Sequence, residues 1–89
     1  MTRQLISSDA PRRSQIKILK EHKEVTLRYI DADGHKQTRR GTLHPDVTGP
    51  INGEIGGENK KVVNYWDLDK NDWRSYRVDS FLGGHYYED

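Results

Sequence analysis

Two stretches, EVTLRYIDADGHKQTRRGTL (residues 24–43) and KVVNYWDLDKNDWRSYRV (residues 61–78), alternate apolar and polar residues on either side of a short turn-forming centre. A period of two is the signature of a strand with one face buried, and a polar break in the middle folds such a run back on itself. The first stretch predicts strands over Glu24–Asp31 and His35–Leu43 around Asp33-Gly34, because glycine supplies the positive φ that a tight hairpin turn requires. The second predicts strands over Lys61–Asp67 and Trp73–Val78, joined by the turn Leu68–Asp72. Two hairpins so close together restrict the chain to a mainly antiparallel β fold.

The flanks add less regular elements. Residues 1–8 read as a flexible N-terminus. Asp9 is positioned to cap a helix with Pro11 in its first turn, and the pattern predicts that helix over Ala10–Glu21, although QIKIL within it also alternates like a strand. Residues 44–60 hold four glycines and two prolines and read as a mobile loop. Ser80–Tyr87 supplies a fifth short strand with a bend at Gly83-Gly84, and Gly41 suggests a bulge or tight bend in the second strand. The sum over residues 9–87 is a single small SH3- or Sm-like antiparallel β-barrel of four to five strands, with one N-terminal helix over an open end or edge.

Only 31% of the 89 residues are hydrophobic and 33% are charged, so the core must rest on a few large aromatics. Val63, Tyr65 and either Trp73 or Tyr76 are the candidates, with Trp66 facing outward. The absence of cysteine excludes disulfides and thiolate metal sites and fits a cytoplasmic setting. No apolar run has the length of a membrane span, and the N-terminus does not resemble a secretion signal. Residues 1–40 carry ten Lys/Arg against five Asp/Glu, whereas residues 41–89 carry five against nine. A nucleic-acid role on such a chain is a local contact rather than a wrapped duplex.

Groups for catalysis are sparse, and the reading is that of a non-enzyme without cofactor or metal. His22, His35, His44 and His85 lack metal-ligand spacing. DLDKND (residues 67–72) has the oxygens of a calcium loop but not its glycine or distal glutamate, and it falls where a turn is needed. The glycines of residues 49–57 do not form a phosphate loop, which requires a following helix. The arginines carry more information. Arg39 and Arg40 must point to opposite faces of their strand, Arg74 shares a face with Tyr76, and Arg77 shares the other with Trp73. Arginine beside an aromatic suits phosphate pairing with base stacking, and it equally suits a guanidinium held by a turn aspartate. Arg39, Arg40, Trp73, Arg74, Tyr76 and Arg77 are therefore the candidate ligand-binding residues.

The hairpin with its D-G turn, the TLHP element (residues 42–45) and the run WDLDKNDWRSYRVDS (residues 66–80) together resemble the WYL domain, most closely its short phage-encoded branch. The resemblance spans residues 14–83. It implies an Sm-like barrel behind a leading helix. Larger WYL proteins are mostly bacterial transcription regulators, in which the barrel senses nucleic acid or nucleotides through basic and aromatic residues. The resemblance places Arg74 and Arg77 at family arginines, while a further family arginine is Ser80 here. A helix-turn-helix is not readable in these residues. The implied roles are a small regulatory module in the host bacterial cytoplasm, contacting single-stranded nucleic acid or a nucleotide, or a protein-interaction module that alters host transcription or defence machinery. Homo-oligomers through strand edges are a further expectation.

Overall fold

A computed structural model of the chain describes residues 1–49 and 60–88. In chain order it contains β1 (Thr2–Ile6), α1 (Arg12–Glu21), β2 (Val25–Ile30), β3 (Lys36–Thr42), α2 (Pro45–Thr48), β4 (Val62–Asp67), β5 (Asp72–Arg77), a 3-10 turn (Val78–Ser80) and β6 (Phe81–Glu88). All strand pairs are antiparallel, in the order β1-β6-β2-β3-β4-β5.

Both hairpins form where the alternation predicts, and both turns begin with an aspartate that holds the backbone. Asp31 Oδ1 accepts from the amides of Asp33 and His35, both at 2.9 Å, and Gly34 takes φ 84°. Asp67 Oδ1 accepts from the amides of Asp69 (2.9 Å) and Lys70 (3.0 Å), and Asn71 reaches φ 52°, a left-handed conformation that asparagine tolerates. This aspartate is a turn former: Oδ1 holds the turn amides, and Oδ2 faces the Arg74 guanidinium.

The inward residues of β2, β4 and β5 make the core. Val25, Leu27, Tyr29, Val63, Tyr65 and Tyr76 are all buried, together with Phe81 and, from α1, Ile16 and Leu19. Tyr76 stacks between Tyr29 (4.9 Å) and Phe81 (5.5 Å), and the Tyr29 and Tyr65 hydroxyls share a 2.8 Å hydrogen bond. Three buried tyrosines thus replace the aliphatics the chain lacks, with their polar ends satisfied: Tyr76 donates to Gln15 Oε1 at 2.6 Å. Of the two candidates on β5, Tyr76 is the core residue and Trp73 is exposed.

QIKIL is helical. Gln15, Ile16 and Leu19 form one buried stripe, and α1 lies across the ends of β3 and β4, where the Leu43 amide donates to the Leu19 carbonyl at 2.8 Å. The helix starts at Arg12 with Pro11 at its cap position, not at Asp9, whose amide donates to Ser7 Oγ instead.

Three expectations are corrected. Residues 2–6 are not loose, because β1 pairs along its length with β6, and this N-terminal strand brings the total to six among the described residues. Nor does the sheet close: β1 and β5 are its two edges. And Gly41 is no bulge: it pairs regularly with Val25 and Asp67, and it is glycine because a Cβ would overlap the Tyr65 ring. The irregularity instead falls between Arg28 and Tyr29 opposite β6, where Gly83 has φ 107°. Of the loop expected over residues 44–60, Pro45–Thr48 is a helical turn, and residues 50–59 lie outside the described residues.

Candidate functional site

β3 pairs with β4 only through Gly41 and Thr42, so the two hairpins part beyond that point. The parting leaves a pocket of about 400 Å³ between the tip of the β2–β3 hairpin and β5. Tyr29 and Tyr76 lie along it, with Arg39, Arg74 and Arg77 as its cations and Asp31, Gln37, Ser75 and Ser80 as further polar groups.

Each arginine is held differently. Arg74 Nε stands 2.9 Å from Oδ2 of the fully buried Asp67, as a charge pair out of line for a hydrogen bond. Arg39 Nη2 donates to Gln37 Oε1 at 2.9 Å, and Gln37 Nε2 donates to Asp31 Oδ2 at 2.8 Å. This relay fixes the Arg39 fork without neutralising it by direct contact. Arg39 Nε is shut off from water and has no hydrogen-bond partner among the described residues. Arg77 is mostly exposed and meets Asp79 only at 4.0 Å. The Asp31 carboxyl is held below the usual carboxylate range, first by the His35 amide and then by Gln37, so it stays ionised beside the pocket.

The candidate residues divide cleanly. Arg39, Arg74, Tyr76 and Arg77 converge on the pocket; Arg40 and Trp73 do not. Arg40 points to the opposite face, as alternation requires, where Glu24 and Asp69 bind its guanidinium. Its hydrogen bond, and then its charge, hold the Asp69 carboxyl below the ordinary range. Trp73 packs edge-on against Trp66, with ring centres 5.5 Å apart, on the outer side of β4–β5. Arg77 departs from strict alternation by lining the same pocket as Arg74. It is the last residue of an edge strand, just before the 3-10 turn that carries Ser80 into the pocket.

Asp31 and Gln37 are site residues that the sequence reading missed. Gln37 had a legible signal, since it stands two residues before Arg39 and so on the same face. Asp31, Asp33 and His35 also bring potential ligand atoms within 4.8 Å of one another at the hairpin tip. The Asp31 oxygens already serve the turn and Gln37, which leaves this cluster as turn architecture.

A family model described as WYL_2, with an Sm-like SH3 β-barrel fold, matches residues 15–82. The chain belongs to the WYL_2 family. None of the curated proteins or solved structures matches it. The match runs from the buried face of α1 to the start of β6, so it takes in every residue of the pocket named above. In this WYL_2 domain β1 lies outside the matched segment and adds its strand to the outer edge of β6. Among the described residues no helix is long and apolar enough to cross a membrane.

Proposed function

We propose that this WYL_2 domain binds a nucleotide, free or at the end of a single strand, in the pocket between its two hairpins. The observation that carries the reading is the convergence of Arg39 and Arg77 on this pocket: among the described residues Arg39 has no carboxylate partner and is oriented through Nη2 by Gln37, and Arg77 meets Asp79 only at 4.0 Å. Charge-assisted arginine–phosphate hydrogen bonds are short and about twice as strong as neutral ones, and a guanidinium already oriented loses little freedom in forming them. Arg77, at the mouth, adds a second cation for the same phosphate. Tyr29 and Tyr76 give an apolar wall for a base or sugar, and Asp31, Ser75 and Ser80 accept from their N–H and O–H groups. A role as a regulatory module of a phage in the bacterial cytoplasm is the setting that the family resemblance suggests for such a sensor.

The test is calorimetric titration with AMP, GMP, CMP and UMP at low salt. Binding of at least one is expected, weakened by Arg39→Ala and by Arg77→Ala with the melting temperature little changed. Absence of heat with all four at low salt sinks the reading. A second reading, a protein-interaction module, is favoured by the two open sheet edges, which a partner strand or another copy can extend. Light scattering that finds only monomer, together with a lysate pull-down that enriches no protein, counts against it.

A further inference from the structure

A second surface lies on the outer face of β1-β6-β2, on strands that contribute only Tyr29 and Ile30 to the pocket. The register sets its layout. Arg3 stands opposite Tyr87, Leu5 and Thr26 flank His85 from either side, and Arg28 stands opposite Gly83. All these residues fall on the outward parity of their strands, so they form one face, with Arg3 and Arg28 at diagonal corners and His85 at the centre. Leu5 is 73% exposed and Tyr87 49% exposed, which leaves the middle of a cationic face apolar and aromatic. His85 and Tyr87 meet edge-on at 5.7 Å.

The charges here are uncommitted. Among the described residues neither Arg3 nor Arg28 has a carboxylate partner, in contrast to Arg40 and Arg74. The Arg28 guanidinium lies beside Gly83: a Cβ there would be 3.9 Å from Nη2, an ordinary contact distance. Burial, then Arg3, then Arg28 hold the His85 imidazole below its usual pKa, so the ring is neutral near pH 7 and the positive charge of the face is that of the arginines. The carboxylate of Glu88 points to the opposite side of the sheet, because its strand position has the parity of Tyr86, which stacks on His22.

From this juxtaposition we infer that the outer face of β1-β6-β2 is a docking platform for single-stranded nucleic acid, with bases stacking on Tyr87 and His85 over Leu5 and phosphates taken by Arg3 and Arg28. Charge complementarity excludes a basic partner, and the rings favour a ligand with flat faces over an acidic peptide. The platform holds backbone and base faces without hydrogen-bonding base edges, so it is tolerant of sequence.

The experiment measures fluorescence anisotropy of labelled dT12 and rU12 at 50 mM salt. Tyr87→Leu keeps an apolar strand residue and removes the ring, and is expected to weaken binding at least about fivefold. Arg3→Ala/Arg28→Ala is expected to lower the slope of log affinity against log salt by about 1.4, the value for two contacts to a single strand. The double variant Arg13→Ala/Lys20→Ala removes two exposed charges from α1 and is expected to change affinity far less. Equal weakening by that control, unchanged binding by Arg3→Ala/Arg28→Ala, or competition by poly-glutamate as strong as by unlabelled dT12 overturns the inference. Thermal melting of each variant verifies folding, and single Arg3→Ala, on an edge strand, serves if Arg28→Ala unfolds. AMP titration of the same variants separates this platform from the pocket, since Arg3→Ala/Arg28→Ala leaves AMP binding intact and Arg39→Ala leaves the platform intact.

Discussion

Replacing Asp67 by asparagine tests the reasoning most severely, because one carboxylate joins the second hairpin turn to the pocket. Asp67 is fully buried; Oδ1 holds the amides of Asp69 and Lys70, and Oδ2 faces Arg74 Nε at 2.9 Å. Asparagine keeps an acceptor for the two amides but removes its charge, and hydrogen bonds to charged groups exceed neutral ones by up to about 1 kcal/mol each. It also turns an amide or a neutral oxygen toward Arg74. Stranding one partner of a fully buried pair costs about 3–5 kcal/mol. The Arg74 side chain is 39% exposed and recovers part of its hydration, so the share from this source falls to about 1–2 kcal/mol. Together Asp67→Asn is expected to destabilise by about 2–3 kcal/mol, or roughly 10–20 °C in a domain of this size. The assay is urea unfolding followed by tryptophan fluorescence, which Trp66 and Trp73 report from strands next to the turn. Arg74→Met in the Asp67→Asn background should recover part of the loss, because it removes the stranded charge. A loss below about 0.5 kcal/mol, or a double variant that is no better than the single, refutes the argument that the pair is coupled.

Gly41→Ala forces a methyl into the Tyr65 ring and is expected to cost about 3 kcal/mol or to prevent folding, as circular dichroism melting will show. Tyr65 and Tyr76 both have phenol pKa values raised above the ordinary 10, chiefly by burial. The unfolded state therefore loses protons first, and stability present below pH 10 is lost as pH rises beyond it; an alkaline melt with the tyrosinate absorbance rising together with unfolding is the expected record. His85 has a lowered pKa, so the neutral ring is the native form and stability declines as pH falls through the ordinary histidine range near 6.5. Denaturation series at pH 7.5 and 5.5 test this, and His85→Gln is expected to flatten the difference. Arg40→Ala is expected to leave nucleotide titrations unchanged, since Glu24 and Asp69 hold that guanidinium away from the pocket.

The hairpins were legible in the sequence because a buried face and a turn are both local. Val25, Leu27 and Tyr29 announce a strand two residues at a time, and Asp33-Gly34 marks its end. The N-terminal strand was not legible, because TRQLI carries little apolar signal and is a strand only through its pairing with β6, about eighty residues away in the chain. The division of the candidate site was half legible. Alternation alone separates Arg39 from Arg40, whereas the commitment of Arg74 to Asp67 depends on Asp67 and Asp72 closing the β4–β5 ladder next to Tyr65.

By itself the sequence determined an antiparallel fold built on two hairpins, an aromatic core and a family, since each follows from periodicity, turn chemistry or a contiguous signature. Only the tertiary structure decided that β1 and β5 remain edges, that Arg39, Arg74 and Arg77 line one pocket with Asp31 and Gln37, and that Arg3 and Arg28 stand around His85 with no carboxylate partner among the described residues. Those outcomes depend on which strands become neighbours and where two hairpins part. Backbone pairing between distant segments sets that geometry, and local sequence carries no record of it.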